Sequence, residues 1–478
     1  MMKPNRMKSF FLILVLIAAT AAVMSYSSGK AKTLLSSRTA HRPVPAPVQT
    51  GIVRIWGNLI QNKILQGSDG TVNLSLTIQA DDTKEQAAAP GRHVDMVIVL
   101  DRSGSMQGKK ITDARQAALN LLSRLGNLDR FALVTYSDNV RQSSLLLNVS
   151  ETNRNYLESM ISDIRAGGGT NLGAGLKQGI NTLVSTPGVG NTGKLILISD
   201  GLANKGITQP QELGNLAGIA VEKEFTVSTV GVGAEFNEYL MTTIADHGTG
   251  NYYYLENPEA FAEVFQKEFN YSRATVASRV SIQVPLKDGI SLVNAAGYPI
   301  SIKNGAAVFY PGDLRSGQTR KLFLTFRFPS HTIRDFEISD ICANYLHNGK
   351  SHEARLQNTF TVACVKNRQE VYSSIDKIGW TRKVLQEDFN KLKQEIAHDI
   401  KAGKKESALT RIDKYHKEQQ EINALVDSRE VEKNLKKDLE QLRDVVEDSF
   451  QGAPAAIKEK QKLNSKSLQY EGYSGRRR

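Results

Sequence analysis

Cysteine and histidine are scarce in this chain, and their scarcity narrows the metal chemistry that it can support. The 478 residues include two cysteines, Cys342 and Cys364, and eight histidines. Without a histidine cluster, two cysteines do not supply the nitrogen and sulfur ligands that a zinc site requires. The turn residues at 347–350 predict a hairpin that places Cys342 opposite a residue near Arg355. A disulfide would then need another register or a neighbouring strand, so the sequence leaves it open.

Aromatic residues are also few, at 7% of the chain, and this weighs against nucleic-acid binding despite a net charge of +12. The positive excess is concentrated towards the two ends, at Lys3, Arg6, Lys8, Lys30, Lys32 and residues 458–478. Nucleic-acid recognition needs a basic face on a folded domain, which this pattern does not predict. We therefore expect no nucleic-acid partner. Otherwise the composition, 40% hydrophobic and 23% charged, is typical of a globular protein of about three domains.

An uncharged apolar run occupies residues 10–24, after Lys3, Arg6 and Lys8. A basic segment followed by an apolar one is typical of a signal peptide. As a helix the run would span roughly 22 Å, less than a ~30 Å hydrocarbon core, so an uncleaved anchor is the tighter alternative. We interpret residues 1–27 as a signal peptide or N-terminal membrane anchor. The protein would then be exported and would be periplasmic, at the cell surface or secreted. It would contact a membrane only through this segment.

The pattern of apolar residues divides the rest of the chain into segments of different character. The predicted segments are a Pro-rich linker at 28–50, strands at 51–92, alternating strands and helices at 93–272, a β-rich region at 273–366, helices at 367–450 and a basic tail at 451–478. The alternation predicts an α/β doubly wound, Rossmann-like domain with a mostly parallel sheet. The first strands have no core of their own, so we expect them to join the β-rich region in a β-sandwich that carries the α/β domain as an insertion. We expect the helices to form a hairpin or bundle and the tail to be disordered.

Small polar side chains lie where the predicted elements of the α/β domain end. Their positions are Asp101, Ser103 and Ser105 after the strand at 94–100, Thr170 in the glycine-rich loop 167–171, and Asp200 after the strand at 194–199. Open α/β sheets bind ligands at the carboxyl ends of their strands, so we expect these side chains to surround one point. Carboxylates and hydroxyls are hard oxygen ligands, which suit Mg²⁺, with Mn²⁺ or Ca²⁺ as alternatives.

The order of these residues resembles a von Willebrand factor A domain with a complete metal-ion-dependent adhesion site. The family pattern is Asp-x-Ser-x-Ser, then Thr, then Asp. The letters DRSGS at 101–105, followed by Thr170 and Asp200, match it at spacings of about 65 and about 30 residues. The resemblance covers residues 94–270. Its overall arrangement also resembles exported bacterial proteins with this domain in a β-sandwich and, more distantly, inter-alpha-trypsin inhibitor heavy chains.

The resemblance implies a role for each matching residue. Ser103, Ser105 and Thr170 would contact the metal directly or through water, while the two aspartates would act largely through water. An acidic side chain of a protein partner would complete the coordination. The rim of the site would be formed by the neighbouring residues Arg102, Gly104, Gly169, Asn171, Gly201 and Asn204. Arg102 would steer an acidic ligand, or would be an ordinary solvated loop arginine.

These observations favour a metal-dependent protein-binding module rather than an enzyme. Metal-assisted hydrolysis would need a positioned base, and the histidines nearest in sequence, His93 and His247, are expected in loops. The pair at 352–353 begins like a metalloprotease helix, but Leu356 stands where the second histidine would be. The alternatives are an envelope assembly subunit that binds through its C-terminal helices and, less well supported, a metal-dependent hydrolase.

Overall fold

The computed structural model describes residues 51–83, 93–142, 144–185 and 191–477. The predicted targeting segment at 1–27 and the linker at 28–50 lie outside these residues. The described chain begins with three strands: β1 (Val53–Leu59), β2 (Lys63–Leu65) and β3 (Thr71–Ala80). Most side chains along β3 alternate between buried and half-buried positions, as expected for a strand with one face on a core, and Thr77 is buried as well.

Strands and helices then alternate to form the α/β domain. Its strands are β4 (Val94–Asp101), β5 (Arg130–Tyr136), β6 (Val140–Gln142), β7 (Leu147–Asn148), β8 (Thr192–Ser199), β9 (Phe225–Val232) and β10 (Thr249–Leu255). Its helices are α1 (Lys109–Arg124), α2 (Glu151–Ser162), α3 (Leu172–Val184), α4 (Pro210–Glu222), α5 (Glu238–His247) and α6 (Phe261–Arg273).

The sheet of this domain has the order β10-β9-β8-β4-β5-β6, with β7 also paired to β5. The strands from β10 to β5 are parallel, whereas β6 and β7 run antiparallel to β5 at one edge. All eight residues of β4 are buried. Met96 and Ile98 pack with α1, α2 and α6, while Val97 and Val99 pack with α3, α4 and α5. Helices therefore cover both faces, and the predicted α/β fold with a mixed, mainly parallel sheet is confirmed.

A β-rich region follows the α/β domain. Its strands are β11 (Thr275–Pro285), β12 (Ser291–Ala295), β13 (Ser301–Lys303), β14 (Ala306–Phe309), β15 (Leu314–Arg315), β16 (Thr319–Arg327), β17 (Asp335–Ile338), β18 (Cys342–His347), β19 (Lys350–Arg355) and β20 (Phe360–Val365). They form sheets of order β1-β3-β16-β12, β13-β14-β11-β18-β19 with β15 on β11, and β17-β20-β2. Buried residues from all these sheets, such as Leu74, Ile282 and Phe336, share one core.

Strands from both sides of the α/β domain meet in these sheets. Strand β3 pairs along its length with β16, from Thr71 opposite Arg327 to Gln79 opposite Thr319. The predicted pairing of the early strands with the later β-rich region is therefore confirmed. Cys342 lies opposite Arg355, as the hairpin predicted, and both cysteines are free and buried.

Helices make up most of residues 368–476. The helices are α7 (Arg368–Ser373), α8 (Lys377–Lys383), α9 (Phe389–Lys401), α10 (Lys405–Val426), α11 (Arg429–Lys433), α12 (Leu439–Ser449) and α13 (Pro454–Arg476), with π-helical turns at Val384–Asp388 and Asn434–Asp438. Trp380, Ile396, Ile412 and Val446 are among the residues that form their common core. Among the described helices, none combines the length and apolar character needed to cross a membrane.

The prediction of a disordered tail at 451–478 is wrong, because residues 454–476 form α13. Leu468 joins the core of the helical region, and Tyr473 packs in the core on one face of the α/β sheet. Lys466 is also buried, and its ammonium lies 3.1 Å from the carboxylate of Glu238 in α5. A few anchoring side chains and a neutralised lysine thus order a segment whose composition alone is typical of disorder.

Candidate functional site

Main-chain hydrogen bonds bring the loop after β4 against the glycine-rich loop before α3. The amide of Gly104 donates to the carbonyl of Gly168 at 3.0 Å, and the amide of Gly167 donates to the carbonyl of Arg102 at 2.7 Å. Gly168 has a φ of +86°, a left-handed conformation that glycine adopts without strain. The two loops therefore lie side by side at the carboxyl edge of the sheet.

The loop after β8 completes the cluster. The hydroxyl of Ser105 donates to Oδ1 of Asp200 at 2.7 Å, and the hydroxyls of Ser103 and Ser105 are 3.0 Å apart. A Cβ atom placed on Gly201 would lie 3.4 Å from Oγ of Ser105 and 3.7 Å from Oγ1 of Thr170. The hydroxyls and the Asp200 carboxylate from three separate loops therefore meet at one point, where the sequence predicted them.

Asp101 forms the floor of this cluster. Its carboxylate accepts hydrogen bonds from the amide of Ser103 at 2.8 Å and from the hydroxyl of Ser199 at 2.9 Å. Burial raises the pKa of Asp101 to about 6, although these hydrogen bonds act in the opposite direction and the charge of Asp200 adds to the rise. A cation placed beside this buried carboxylate would favour its charged form.

The residues present fit a hard divalent cation. Asp101 and Asp200 are both fully buried. Among the ion pairs of the described residues, Lys110 neutralises Asp200, and none involves Asp101. No group of three or more His, Cys, Asp and Glu side chains that could hold a metal occurs in the described part of the chain, so hydroxyls must supply part of any ligand set here. Carboxylates combined with hydroxyls are the oxygen donors that Mg²⁺ and Ca²⁺ accept and that zinc disfavours.

The predicted rim residues surround this point. Asn204 makes two hydrogen bonds to the main chain of Thr170. Its side-chain oxygen accepts from the Thr170 amide at 3.0 Å, and its main-chain amide donates to the Thr170 carbonyl at 3.1 Å. Asn171 caps α3 by accepting from the amide of Ala174 at 3.3 Å. The amide of Gly169 donates to Asp138 at 3.1 Å. Arg102 and Gly104 lie in the loop after β4 and Gly201 lies in the loop after β8, and all three are at least partly exposed.

Sequence reasoning missed four residues of the site. Ser199 and Lys110 bond to the two buried aspartates, while Asp138 and Lys205 form an ion pair at the rim. Asp138 follows the end of β5, so the rule that located the other loops could have found it. Lys110 lies in the first turn of a helix, where sequence gives no sign that its side chain turns back into the site.

The two histidines considered as catalytic bases lie elsewhere. His93 precedes β4 and lies 3.9 Å from Asp129. Since β4 has eight residues, His93 is about 26 Å from the carboxyl end of the strand. The expectation of a loop is wrong for His247, which is the last residue of α5 and packs beside Gly214 of α4. Neither residue is positioned to serve the cluster around Asp101.

The comparisons with known proteins agree with this geometry. The profile of the von Willebrand factor type A domain matches residues 95–267. The uncharacterized protein YfbK of Escherichia coli is 31% identical over 213 residues, which are 44% of this chain and 36% of that protein. The human inter-alpha-trypsin inhibitor heavy chain H4 is 30% identical over 161 residues, 32% of this chain and 17% of its own length. The E3 ubiquitin-protein ligase WAV3 of Arabidopsis thaliana is 25% identical over 257 residues, 52% of this chain and 33% of its own.

The chain thus covers well under two thirds of the length of each of these relatives. A solved structure, the von Willebrand factor type A protein from Catenulispora acidiphila, covers a larger share. It aligns with 89% of this chain and 98% of its own at a TM-score of 0.65 and 16% identity, a likeness of fold. The chain therefore contains a von Willebrand factor type A domain, flanked by β-rich and helical regions.

Proposed function

We propose that this protein is an extracytoplasmic binding module that captures an acidic side chain of a partner protein through a divalent cation, Mg²⁺ in the first place. The observation that carries the proposal is the cluster at the sheet edge, where two buried aspartates and three hydroxyls from separate loops meet. The site would hold the ion through Ser103, Ser105 and Thr170, with Asp101 and Asp200 acting largely through water. When bound, the ion would supply an electrophilic position that a carboxylate can fill.

The chain's own residues prepare this position. Ser199 and the amide of Ser103 fix the orientation of the Asp101 carboxylate, and Asn204 fixes the main chain at Thr170. Ser105 is exposed, so its hydroxyl lies where the site opens to solvent. A preformed set of oxygen atoms lowers the conformational cost of binding both ion and ligand.

The charge at the rim suits an acidic partner. Arg102 and Lys205 lie on adjacent loops there, and the hydrogen bond from Lys205, with help from the charge of Arg102, holds the pKa of Asp138 below its usual value. Such rim charges raise the rate at which an oppositely charged partner associates more than they raise affinity. We propose binding rather than catalysis, because His93 and His247 lie away from the cluster.

We also propose that the β-rich strands form a β-sandwich in which the von Willebrand factor type A domain is inserted. The shared core of the three sheets supports this interpretation. The helical region would brace the domain, since α13 contacts both the helical core and α5. Envelope assembly through the C-terminal helices is therefore the weaker alternative, because the buried face of α13 is already in use.

Export is the second part of the proposal and depends on residues 1–27. Their basic and then apolar sequence supports a signal peptide or membrane anchor, which would place the binding site outside the cytoplasm. Cell fractionation of the full chain and of a chain lacking residues 1–27 tests this. Recovery of both chains in the cytoplasm would contradict it.

The metal-binding part is tested by titrating the full chain with Mg²⁺ in a calorimeter. We expect one site in the unchanged protein, no measurable binding after Asp101→Ala or Ser103→Ala, and unchanged binding after Asp113→Ala, an acid of α1 that pairs with Lys109. Equal binding by all four proteins would contradict the proposal. The partner is tested by affinity capture with Mg²⁺ or EDTA, where capture that survives EDTA and Asp101→Ala would exclude a metal-dependent contact.

A further inference from the structure

The side chain of Lys110 extends from helix α1 into the cluster and contacts Asp200. It is the second residue of α1, and its ammonium lies 2.5 Å from Oδ2 of Asp200 and 3.3 Å from the carbonyl of Ser105. The side chain of Asp200 is fully buried, whereas that of Lys110 is 30% exposed. The ammonium is therefore bound inside while part of its stem stays at the surface.

This contact distributes charge unevenly between the two aspartates. The oxygens of Asp200 are both engaged, Oδ1 by the hydroxyl of Ser105 and Oδ2 by Lys110. Asp101 accepts only neutral donors, from Ser103 and Ser199, among the hydrogen bonds of the described residues. One ammonium thus serves a buried pair of carboxylates, and it is bound to the carboxylate that a divalent ion would share.

An ammonium and a divalent ion at neighbouring positions repel each other, and both would draw on the negative charge of the Asp200 carboxylate, the ammonium directly and the ion largely through water. A charge-assisted hydrogen bond to a buried carboxylate is among the stronger polar contacts in proteins. An ion that must weaken this bond in order to bind therefore has a lower affinity for the site. Lysine has a flexible stem and a compact charge that water solvates well. Lys110 can therefore leave Asp200 for solvent without any movement of the main chain.

We propose that Lys110 is a built-in competitor for the divalent cation: it neutralises Asp200 in the metal-free protein and sets the affinity of the site by having to be displaced. The inference rests on the proposed metal-binding function. Lys110 then stabilises the metal-free protein and raises the ion concentration at which the site is half filled.

The chain offers a matched control in the preceding residue. Lys109 is 61% exposed and pairs with Asp113 at 2.9 Å and Glu259 at 2.8 Å, on the outer side of α1. Replacing Lys109 removes the same charge from the same helix turn but leaves Asp200 untouched. A general effect of net charge on ion binding would therefore appear in both variants, and competition at the site only in the variant of Lys110.

The experiment measures Mn²⁺ affinity of the full chain by electron paramagnetic resonance, with the variants Lys110→Met, Lys110→Gln, Lys110→Arg and Lys109→Met. We expect Mn²⁺ to bind at least tenfold more tightly to Lys110→Met and Lys110→Gln, and with near-normal affinity to Lys110→Arg and Lys109→Met. Gln keeps a hydrogen-bond donor without the charge, so it serves if Met does not fold. Unchanged or weaker Mn²⁺ binding in both uncharged variants would overturn the inference alone.

Thermal unfolding in EDTA and in Mn²⁺ supplies a second readout. A competitor predicts that Lys110→Gln unfolds at a lower temperature than the unchanged protein in EDTA and recovers in Mn²⁺. A merely structural role predicts the same loss in both solutions and would overturn the inference. If neither the unchanged protein nor any variant binds Mn²⁺, the proposed function itself fails and the inference fails with it.

Discussion

Removing the ring of Tyr473 tests whether α13 is an integral part of the fold. Tyr473 is 2% exposed and its ring meets that of Tyr252 edge to face, with centroids 5.6 Å apart. An aromatic ring that buries roughly 200 Å² at ~25 cal/mol per Å² contributes at most about 5 kcal/mol. Truncation of buried aromatic residues to alanine usually costs about 3–5 kcal/mol. We therefore expect Tyr473→Ala to lower the free energy of unfolding by about 4 kcal/mol.

The hydroxyl of Tyr473 allows a graded comparison. It accepts from the amide of Tyr252 at 3.2 Å and donates to the carbonyl of Gly250 at 3.3 Å, so Tyr473→Phe should cost about 1 kcal/mol. Urea unfolding followed by circular dichroism measures both variants, and Lys458→Ala at an exposed position of the same helix should change little. If Tyr473→Ala proves as stable as Lys458→Ala, the docking of α13 described above is refuted.

Three further predictions concern a buried ion pair, the metal site and the two cysteines. Glu268→Gln should cost about 3 kcal/mol, because it removes the charge of the carboxylate that lies 2.9 Å from the buried ammonium of Lys194. Burial alone would raise the pKa of Glu268, but Lys194 and the hydrogen bonds outweigh burial and lower the pKa. The ion pair therefore contributes to stability above the unfolded pKa of 4.5, and this contribution is lost as pH falls through the lower folded pKa. Urea midpoints from pH 7 to pH 3 measure it, and the Gln variant should have a flatter profile. Gly201→Val should abolish Mg²⁺ binding in calorimetry without unfolding the domain, since its side chain would enter the space beside the Ser105 hydroxyl, and normal binding would contradict the placement of the site. Both cysteines should react with a thiol reagent in non-reducing denaturant and resist it in the folded protein, whereas no reaction after denaturation would indicate a disulfide.

The α/β domain and the proximity of its loops could be predicted from the sequence, because both depend on local patterns. Each strand such as β4 is a short apolar run with a sharp polar end, and the carboxyl ends of parallel strands share one sheet edge. Asp101 and Asp200 could be assigned to one place from that rule alone. Thr170 lies in the loop between α2 and α3, and the resemblance to the family pattern assigned it to the same place. The early strands could be assigned to the later sheet because a lone hairpin cannot bury its apolar face.

The features that the sequence could not predict depend on long side chains and distant contacts. Lys110 extends from the surface of α1 to a carboxylate that lies 90 positions later in the chain. Lys466 is buried beside Glu238, 228 positions away, in a segment whose polar composition is typical of disorder. In both cases the carboxylate that the lysine contacts is brought close by tertiary structure, and the local pattern of residues does not predict it.

The central claim is that one divalent ion binds among the hydroxyls and aspartates at the sheet edge. The most direct test is a crystal of the full chain soaked in Mn²⁺ and measured for anomalous scattering. The account predicts a single strong anomalous peak within coordination distance of Ser103, Ser105 and Thr170, and none in Asp101→Ala. A peak at another position, or none where the soaked protein is well ordered, would contradict it.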